Sequence, residues 1–537
     1  MLRVPSEVGP ALEERPAMNF VPNELLPRSA ATATPGSAGA APGGAPPTPG
    51  TAPAAPAATS GPTTSGPTTS GPTTSGPIAP GPVAPGPATP GSVAPGGATP
   101  EAPAPGGIAP AGPTAVPGSA TALPDGVTVV ARGTAAGPDL TAPVVDLGAG
   151  RGPAWLDAWL AANLGQVIAW RRALHAHPEL KRREFRTTRT IVGVLRSVGL
   201  GARVLPIDTG VISEVGSGPR CVALRADIDA LPVTEGVDLP FKSWIPGVAH
   251  ACGHDAHTAI LLGAAAALAA GPELPGRVRL LFQPAEEEPG GAHDVIAAGG
   301  LEGVERIFGL HCDPKLTVGT VGTRVGPVTS ACDMIELKLS AHPEPHGDVH
   351  TDVVHGLGVV ATGLPSMLAR RVDPRAGTVL AWGLMDAPGT DCGTPCEGTL
   401  RGTLRTGDSK VGAQLTGLVE EIVDSLLQPL GVRYRLDHLP AVPVVDNDAT
   451  STLMLQSAVE AAVGPAALVP TAQSSGGEDF GWYLEHVPGS YARLGVWSGE
   501  GPQCDLHQPG FRLDERAIAV GVRTMVHAAL TALSAGA

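Results

Sequence analysis

The sequence predicts a two-domain α/β fold: a mostly parallel-sheet domain that carries an inserted ferredoxin-like (βαββαβ) domain, behind a long disordered N-terminal tail. Three observations predict it. A low-complexity front section gives way near Trp155 to apolar segments of ordinary complexity. From there to about residue 330, short apolar runs alternate with helical patterns, the signature of parallel strands covered on both faces. Between about Cys332 and His438 the rhythm changes to strand-helix-strand-strand-helix-strand, the ferredoxin-like plan.

The front section, from about Pro27 to Pro143, is almost entirely Pro, Gly, Ala, Ser and Thr. Such a composition cannot bury enough apolar surface to offset an ordering entropy of roughly 1 to 2 kcal/mol per residue. The pentad Gly-Pro-Thr-Thr-Ser that recurs from Gly61 to Gly76 is compositional, far too short for a solenoid unit. Residues 1–153 are therefore expected to be a disordered tail, either an inert extension or a polyproline ligand or Ser/Thr-rich stalk. No signal-peptide core appears in the first thirty residues, and no run of about 18 apolar residues is evident, so a cytoplasmic protein without a membrane partner is expected.

The folded part opens with a helix in which Leu156, Trp159, Leu160, Leu164, Val167 and Ile168 recur at helical spacing. A second helix is expected from about Thr187 to Val198, stopped by Gly199. Strands at Cys221 to Leu224, Val278 to Phe282 and Ile307 to Leu310 alternate with helices at His257 to Ala270 and Ala292 to Ala298. These make up the first part of the larger domain, 154–330. The insert, 331–440, takes strands at Met334 to Leu339, Thr378 to Leu384, Thr399 to Arg405 and Val432 to Leu436, with helices at Val353 to Leu368 and Val411 to Leu427. The larger domain resumes over 441–537.

A net charge of −15 at pH 7, from 35 Lys and Arg against 50 Asp and Glu, argues against a nucleic-acid partner. The seven cysteines all lie at or after Cys221, at irregular spacing, which implies reduced thiols and no disulfide framework.

The densest chemical signal is His250-Ala251-Cys252-Gly253-His254-Asp255-Ala256-His257. Cys and His are the side chains that hold zinc-like metals, and Cys252 and His254, two apart in extended chain, would point to one side. A thiolate can also bridge two cations. Asp255 is placed to cap the helix or to orient a ligand imidazole. Phe282-Gln283-Pro284-Ala285-Glu286-Glu287-Glu288 follows an apolar strand, and its adjacent carboxylates repel unless a cation or proton compensates. One glutamate can bind metal while its neighbour faces substrate and water, the division that a hydrolase needs. Gly309-Leu310-His311, Leu506-His507-Gln508-Pro509 and Leu224-Arg225-Ala226-Asp227-Ile228-Asp229 close other apolar strands or adjoin them, where parallel sheets gather their sites.

With Arg171-Arg172-Ala173-Leu174-His175, Pro178-Glu179-Leu180 and Gly477-Glu478-Asp479-Phe480 added, the chain from about Trp170 to its C-terminus resembles a known family. It is similar to the amidohydrolase branch of the dinuclear, aminoacylase-like and carboxypeptidase-like metallopeptidases, the branch of hippurate hydrolases and indole-acetyl-amino acid hydrolases. The resemblance implies that Cys252, His254, Glu287, His311 and His507 hold two divalent ions per chain, Zn or Mn. By the same resemblance Glu286 is the general base, Asp229 supports it with Asp227, and the insert is a lid and homodimerisation surface. The implied reaction is hydrolysis of an N-acyl amino acid or related small acylated amine. Alternatives are a dipeptidase or carboxypeptidase of the same superfamily, or a metal-binding protein of this fold that has lost turnover.

The lid departs from the family pattern. Ser340-Ala341-His342-Pro343-Glu344-Pro345-His346 lacks the usual glycines and is one residue short, so His342 or His346, or neither, takes the family's carbonyl-polarising role. The family's asparagine falls on Cys392, while Arg405 keeps the guanidinium expected to bind a substrate carboxylate.

Overall fold

The computed structural model describes residues 151–288, 290–341, 351–389 and 395–535. The expectations for the tail up to residue 150, and for His342, His346 and Cys392, lie outside the described residues.

Two helices open the described chain, α1 (Ala154–His175) and α2 (Phe185–Ser197). Then follow β1 (Ala202–Val204), β2 (Val211–Gly216), β3 (Cys221–Asp227), α3 (His254–Ala270), β4 (Arg277–Gln283), α4 (Gly291–Ala297), β5 (Arg306–Thr317), β6 (Val321–Thr323) and β7 (Gly326–Pro327). The middle segment runs β8 (Ala331–Ser340), α5 (Val353–Arg371), β9 (Val379–Asp386), β10 (Glu397–Thr406), α6 (Ser409–Leu427) and β11 (Arg433–Val442). The chain closes with β12 (Asp446–Asn447), α7 (Ala449–Val463), β13 (Leu468–Pro470), α8 (Gly481–Leu484), β14 (Gly489–Trp497) and α9 (Arg516–Ser534).

Eight strands form one sheet in the order β1-β2-β4-β3-β5-β14-β6-β13. Its centre, β4-β3-β5-β14, is parallel, whereas β1-β2, β2-β4 and β14-β6 are antiparallel. Every residue of β3 is buried, as expected of a strand covered on both faces. One face is covered by α1, α3 and α9, whose apolar residues share a single core with the sheet. The Ala-rich α3 is buried from His254 to Leu268 and packs tightly on α9: a Cβ added at Gly521 would meet Ile260 Cδ1 at 2.4 Å.

Residues 331–442 form a separate antiparallel sheet, β11-β8-β10-β9, with its own core. Ile335, Leu337 and Leu339 of β8 pack there against Leu357, Val360 and Leu364 of α5 and Val419, Ile422 and Val423 of α6. Asp352 and Asp408 cap these two helices by accepting backbone N–H groups of His355 and of Lys410 and Val411.

Several local expectations need correction. The helix after the Cys-Gly-His segment begins at His254, three residues earlier than its apolar pattern suggests, because Gly253 at φ 88° turns the chain into it. Cys252 and His254 therefore converge through a turn and a first helical residue, not through extended chain. Nor does His311 end its strand. It lies inside β5, just past Gly309, the last β5 residue paired with β3, so that β5 runs on beside β14 alone. Finally, α5 and α9 do have the length and mean hydropathy, 1.2 and 1.4, of a membrane span. In α9 that apolarity is core: 83% of the stretch is buried.

Candidate metal centre

The carboxyl ends of the three parallel strands β4, β3 and β5 meet at one point, and the chemistry-bearing loops leave from it. Asp227 closes β3 and Asp229 follows two residues on; Gln283 closes β4 and leads into Glu286 and Glu287; His507 comes from the loop after β14. The α3 N-terminus brings Cys252 and His254 to the same place.

Histidine tautomers follow from the fixed partners. The His254 Nδ1–H donates to the Asp229 carbonyl oxygen at 3.0 Å, which leaves Nε2, buried and without a hydrogen-bond partner, as the atom able to hold a cation. His311 Nδ1–H donates to the Cys312 carbonyl at 2.7 Å, so its Nε2 faces Cys252 Sγ at 3.4 Å. His507, held at φ 63°, points Nε2 at Glu287 Oε1 from 3.1 Å, an oxygen with no hydrogen-bond partner. Two donor sets result, Cys252-His254-His311 and Cys252-Glu287-His507, each with its ligand atoms within 4.8 Å of one another and both containing Cys252 Sγ.

These residues fit two divalent ions by their chemistry. Two buried ligand-type atoms without a hydrogen bond, His254 Nε2 and Glu287 Oε1, belong to these sets. Burial, with Glu287 and Glu286 beside it, pushes the Cys252 thiol well above its ordinary range, so a thiolate there needs cations. Cys, His and carboxylate together suit zinc-like metals.

His257 stands close enough to Asp227 and His254 to suggest a further ligand. Its hydrogen bonds exclude that: Nε2 accepts the Cys312 backbone N–H at 2.8 Å and Nδ1–H donates to Asp227 Oδ1 at 2.6 Å. Both ring nitrogens are used. His257 instead ties the residue after His311 to the end of β3.

Asp229 joins two segments that carry candidate ligands, since its carbonyl orients His254 while Oδ2 accepts the Glu287 N–H at 3.1 Å. Asp255 does something other than cap the helix or orient a ligand. Its Oδ2 receives Arg171 Nε at 2.7 Å and His175 Nδ1 at 2.8 Å, and His175 Nε2 in turn meets Glu235 at 3.0 Å. A histidine between two carboxylates is favoured as the imidazolium; although burial opposes it, Asp255 leads in raising the His175 pKa. Arg405 reaches across from β10, donating Nη1 to the Ser475 carbonyl at 2.8 Å.

Glu286 is pushed well above the usual carboxylate range by burial and by Glu478, Glu287 and Asp479. Beneath it lies a network centred on Arg225, a residue to which sequence reasoning gave no role. Its guanidinium, fully buried, contacts Asp227 at 2.6 Å, Glu478 at 3.0 Å and Asp479 at 2.9 Å, and donates Nε to Gln283 at 2.8 Å. Tyr491 donates to Glu478 at 2.6 Å and Tyr483 to Gln283 at 2.8 Å. A lone arginine inside an otherwise apolar strand was the signal available in the sequence. Replacing it as Arg225→Leu strands three buried carboxylates, and removing one partner of a buried ion pair costs about 3 to 5 kcal/mol. The denaturation midpoint should fall accordingly; a loss under about 1 kcal/mol would mean that the carboxylates find other partners.

Residues 223–531 match the model of peptidase family M20/M25/M40, and the chain belongs to that family. It is a metal-dependent amidohydrolase of mixed α/β fold. The chain is similar to the N-acetyl-L-cysteine deacetylase of Bacillus subtilis, 37% identical over 361 residues that cover 66% of this chain and 85% of the relative. A crystal structure of the Bacillus subtilis YxeP protein, described as a dinuclear metal binding peptidase of family M20, superimposes with TM-score 0.61 at 33% identity, covering 70% of this chain and 99% of that one. A Rhodococcus jostii protein carrying a glutamate–cysteine ligase name is 51% identical over 376 residues, 68% of this chain, but the match spans only 46% of its length.

Proposed function

We propose that this enzyme hydrolyses the amide bond of N-acyl amino acids, with Cys252, His254 and His311 holding one divalent ion, Zn or Mn, and Cys252, Glu287 and His507 the other. The observation that carries this reading is the pair of donor sets sharing one sulfur, with Glu286 beside both. Two ions bound there would polarise the scissile carbonyl and lower the pKa of an attacking water to about 7. Glu286 takes the proton of that water and returns it to the departing nitrogen; its raised proton affinity suits the second half of the task. Asp229 keeps His254 in the tautomer that leaves Nε2 free and holds the Glu287 backbone. Asp227, buried against the Arg225 guanidinium at 2.6 Å and accepting the His257 Nδ1–H, supplies fixed negative charge behind the ligands.

The substrate class rests on the deacetylase relative and on Arg405, whose guanidinium keeps donors beyond the one given to Ser475. By the family resemblance His342 and His346 are further candidate substrate-binding residues, and a homodimer through the 331–440 segment would be the family's use of that surface. The test is a panel of N-acetylated amino acids and their carboxamides after Zn or Mn loading. Arg405→Ala should cost about tenfold or more in kcat/KM on free carboxylates, the size of a charge-assisted hydrogen bond, and little on carboxamides. Equal loss on both would make Arg405 structural and leave the amino-acid product resting on the deacetylase relative alone.

A further inference from the structure

The turn that carries Glu286 and Glu287 is held from below by a residue so far without a role. Glu184 is 0% exposed although acidic, and it ends the segment that begins at Pro178-Glu179-Leu180. Its Oε1 accepts two backbone N–H groups, from Arg182 and from Ala285, each at 2.9 Å. Its other oxygen, Oε2, is buried with no partner. Arg182 at φ 59° and Ala285 at φ 50° are two of the four non-glycine residues in the left-handed region among the described residues. A Cβ disfavours that conformation, which persists where the surroundings over-determine it.

Ala285 immediately precedes the base and the ligand, so its backbone angle sets where both carboxylates point. Gly291 and Gly210 close in from other sides: a Cβ at Gly291 would meet the Pro284 carbonyl at 2.0 Å, and one at Gly210 the Pro284 ring at 2.6 Å. That packing confines the turn, but it offers the Ala285 N–H no acceptor. Glu184 does.

We propose that Glu184 is a positioning residue, one of whose oxygens holds two left-handed peptides together and thereby aims Glu286 and Glu287 at the metal centre. The inference rests on the roles proposed above for those two glutamates. What matters is the accepting oxygen and not the charge. Burial, helped by Asp229, pushes the Glu184 carboxyl up to about 7, and the neutral acid keeps an accepting oxygen, as does a glutamine amide.

The experiment compares E184Q, E184M and E184M/A285G in the full chain. Zn²⁺ affinity is read by chelator competition, and kcat and KM on an N-acetylated amino acid. Methionine keeps the volume and deletes the acceptor; E184A deletes it too and takes its place if the thioether does not fold. E184Q should stay within about threefold of the parent in Zn²⁺ affinity and kcat, whereas E184M should lose about tenfold to a hundredfold in each with KM little changed, the range for groups that orient metal ligands. Glycine relieves the left-handed penalty, so A285G should restore at least about threefold of the Zn²⁺ affinity lost in E184M. A merely space-filling role predicts no such rescue. E184Q as damaging as E184M, or no recovery on adding A285G, would overturn the proposal. Zn²⁺ affinity needs no substrate, so a chain inert on every N-acyl amino acid would sink the substrate reading and leave this one measurable. E287A is the control that Zn²⁺ binding reads the turn.

Discussion

Glu286→Gln should retain both metal ions and lose roughly a hundred- to ten-thousandfold in kcat, the contribution of a general acid-base group. The amide keeps the size of the carboxylate but can neither take a proton from water nor deliver one to nitrogen. The surroundings sharpen the expectation. Glu286 is crowded by Glu478 and Asp479, with all three carboxylates inside 4.8 Å of one another, so ionising it there is costly and an amide avoids that cost. The variant should therefore fold at least as stably as the parent. Metal analysis and turnover measured on one preparation check both halves: kcat within about threefold of the parent would remove Glu286 from the mechanism.

Cys252→Ala should be the more damaging change, because Cys252 Sγ belongs to both donor sets. Losing it leaves His254 with His311 and Glu287 with His507, two ligands each, where zinc-like sites use three or four. Both ions should be lost or greatly weakened. Activity should fall by at least about a thousandfold, since the metals supply several kcal/mol of transition-state stabilisation. Elemental analysis after desalting separates this result from that of Glu286→Gln, which stays loaded. A Cys252→Ala protein that kept two tightly bound ions would refute the part given to Cys252 in both donor sets.

The two variants differ in how much of their rationale was visible without a fold. The ligand-type residues, the adjacent glutamates and the alternation of strands with helices are local in the chain. Apolar periodicity and the side-chain chemistry of Cys, His and Glu report them directly. The same locality misjudged the geometry in between. The Cys252-His254 pair converges through the left-handed Gly253 and not through extended chain, and the Glu286-Glu287 pair leaves a left-handed Ala285. A backbone angle of that kind at alanine has no signature in composition, because distant partners such as Glu184 impose it.

By itself, then, the sequence determined which residue types could bind metal and move a proton, and that an α/β sheet would gather them at its strand ends. The tertiary structure alone decided which histidine nitrogens remain free. His254 and His257 sit one helical turn apart with the same side chain, yet the Asp229 carbonyl leaves Nε2 of the first available while Cys312 and Asp227 consume both nitrogens of the second. It also decided that Asp255 serves Arg171 and His175, and that Arg225 balances carboxylates as far away in the chain as Asp479. The physical reason is the same in each case. A hydrogen bond or ion pair in a dry interior is set by whichever partner the fold brings within about 3 Å, and sequence separation carries no information about that partner.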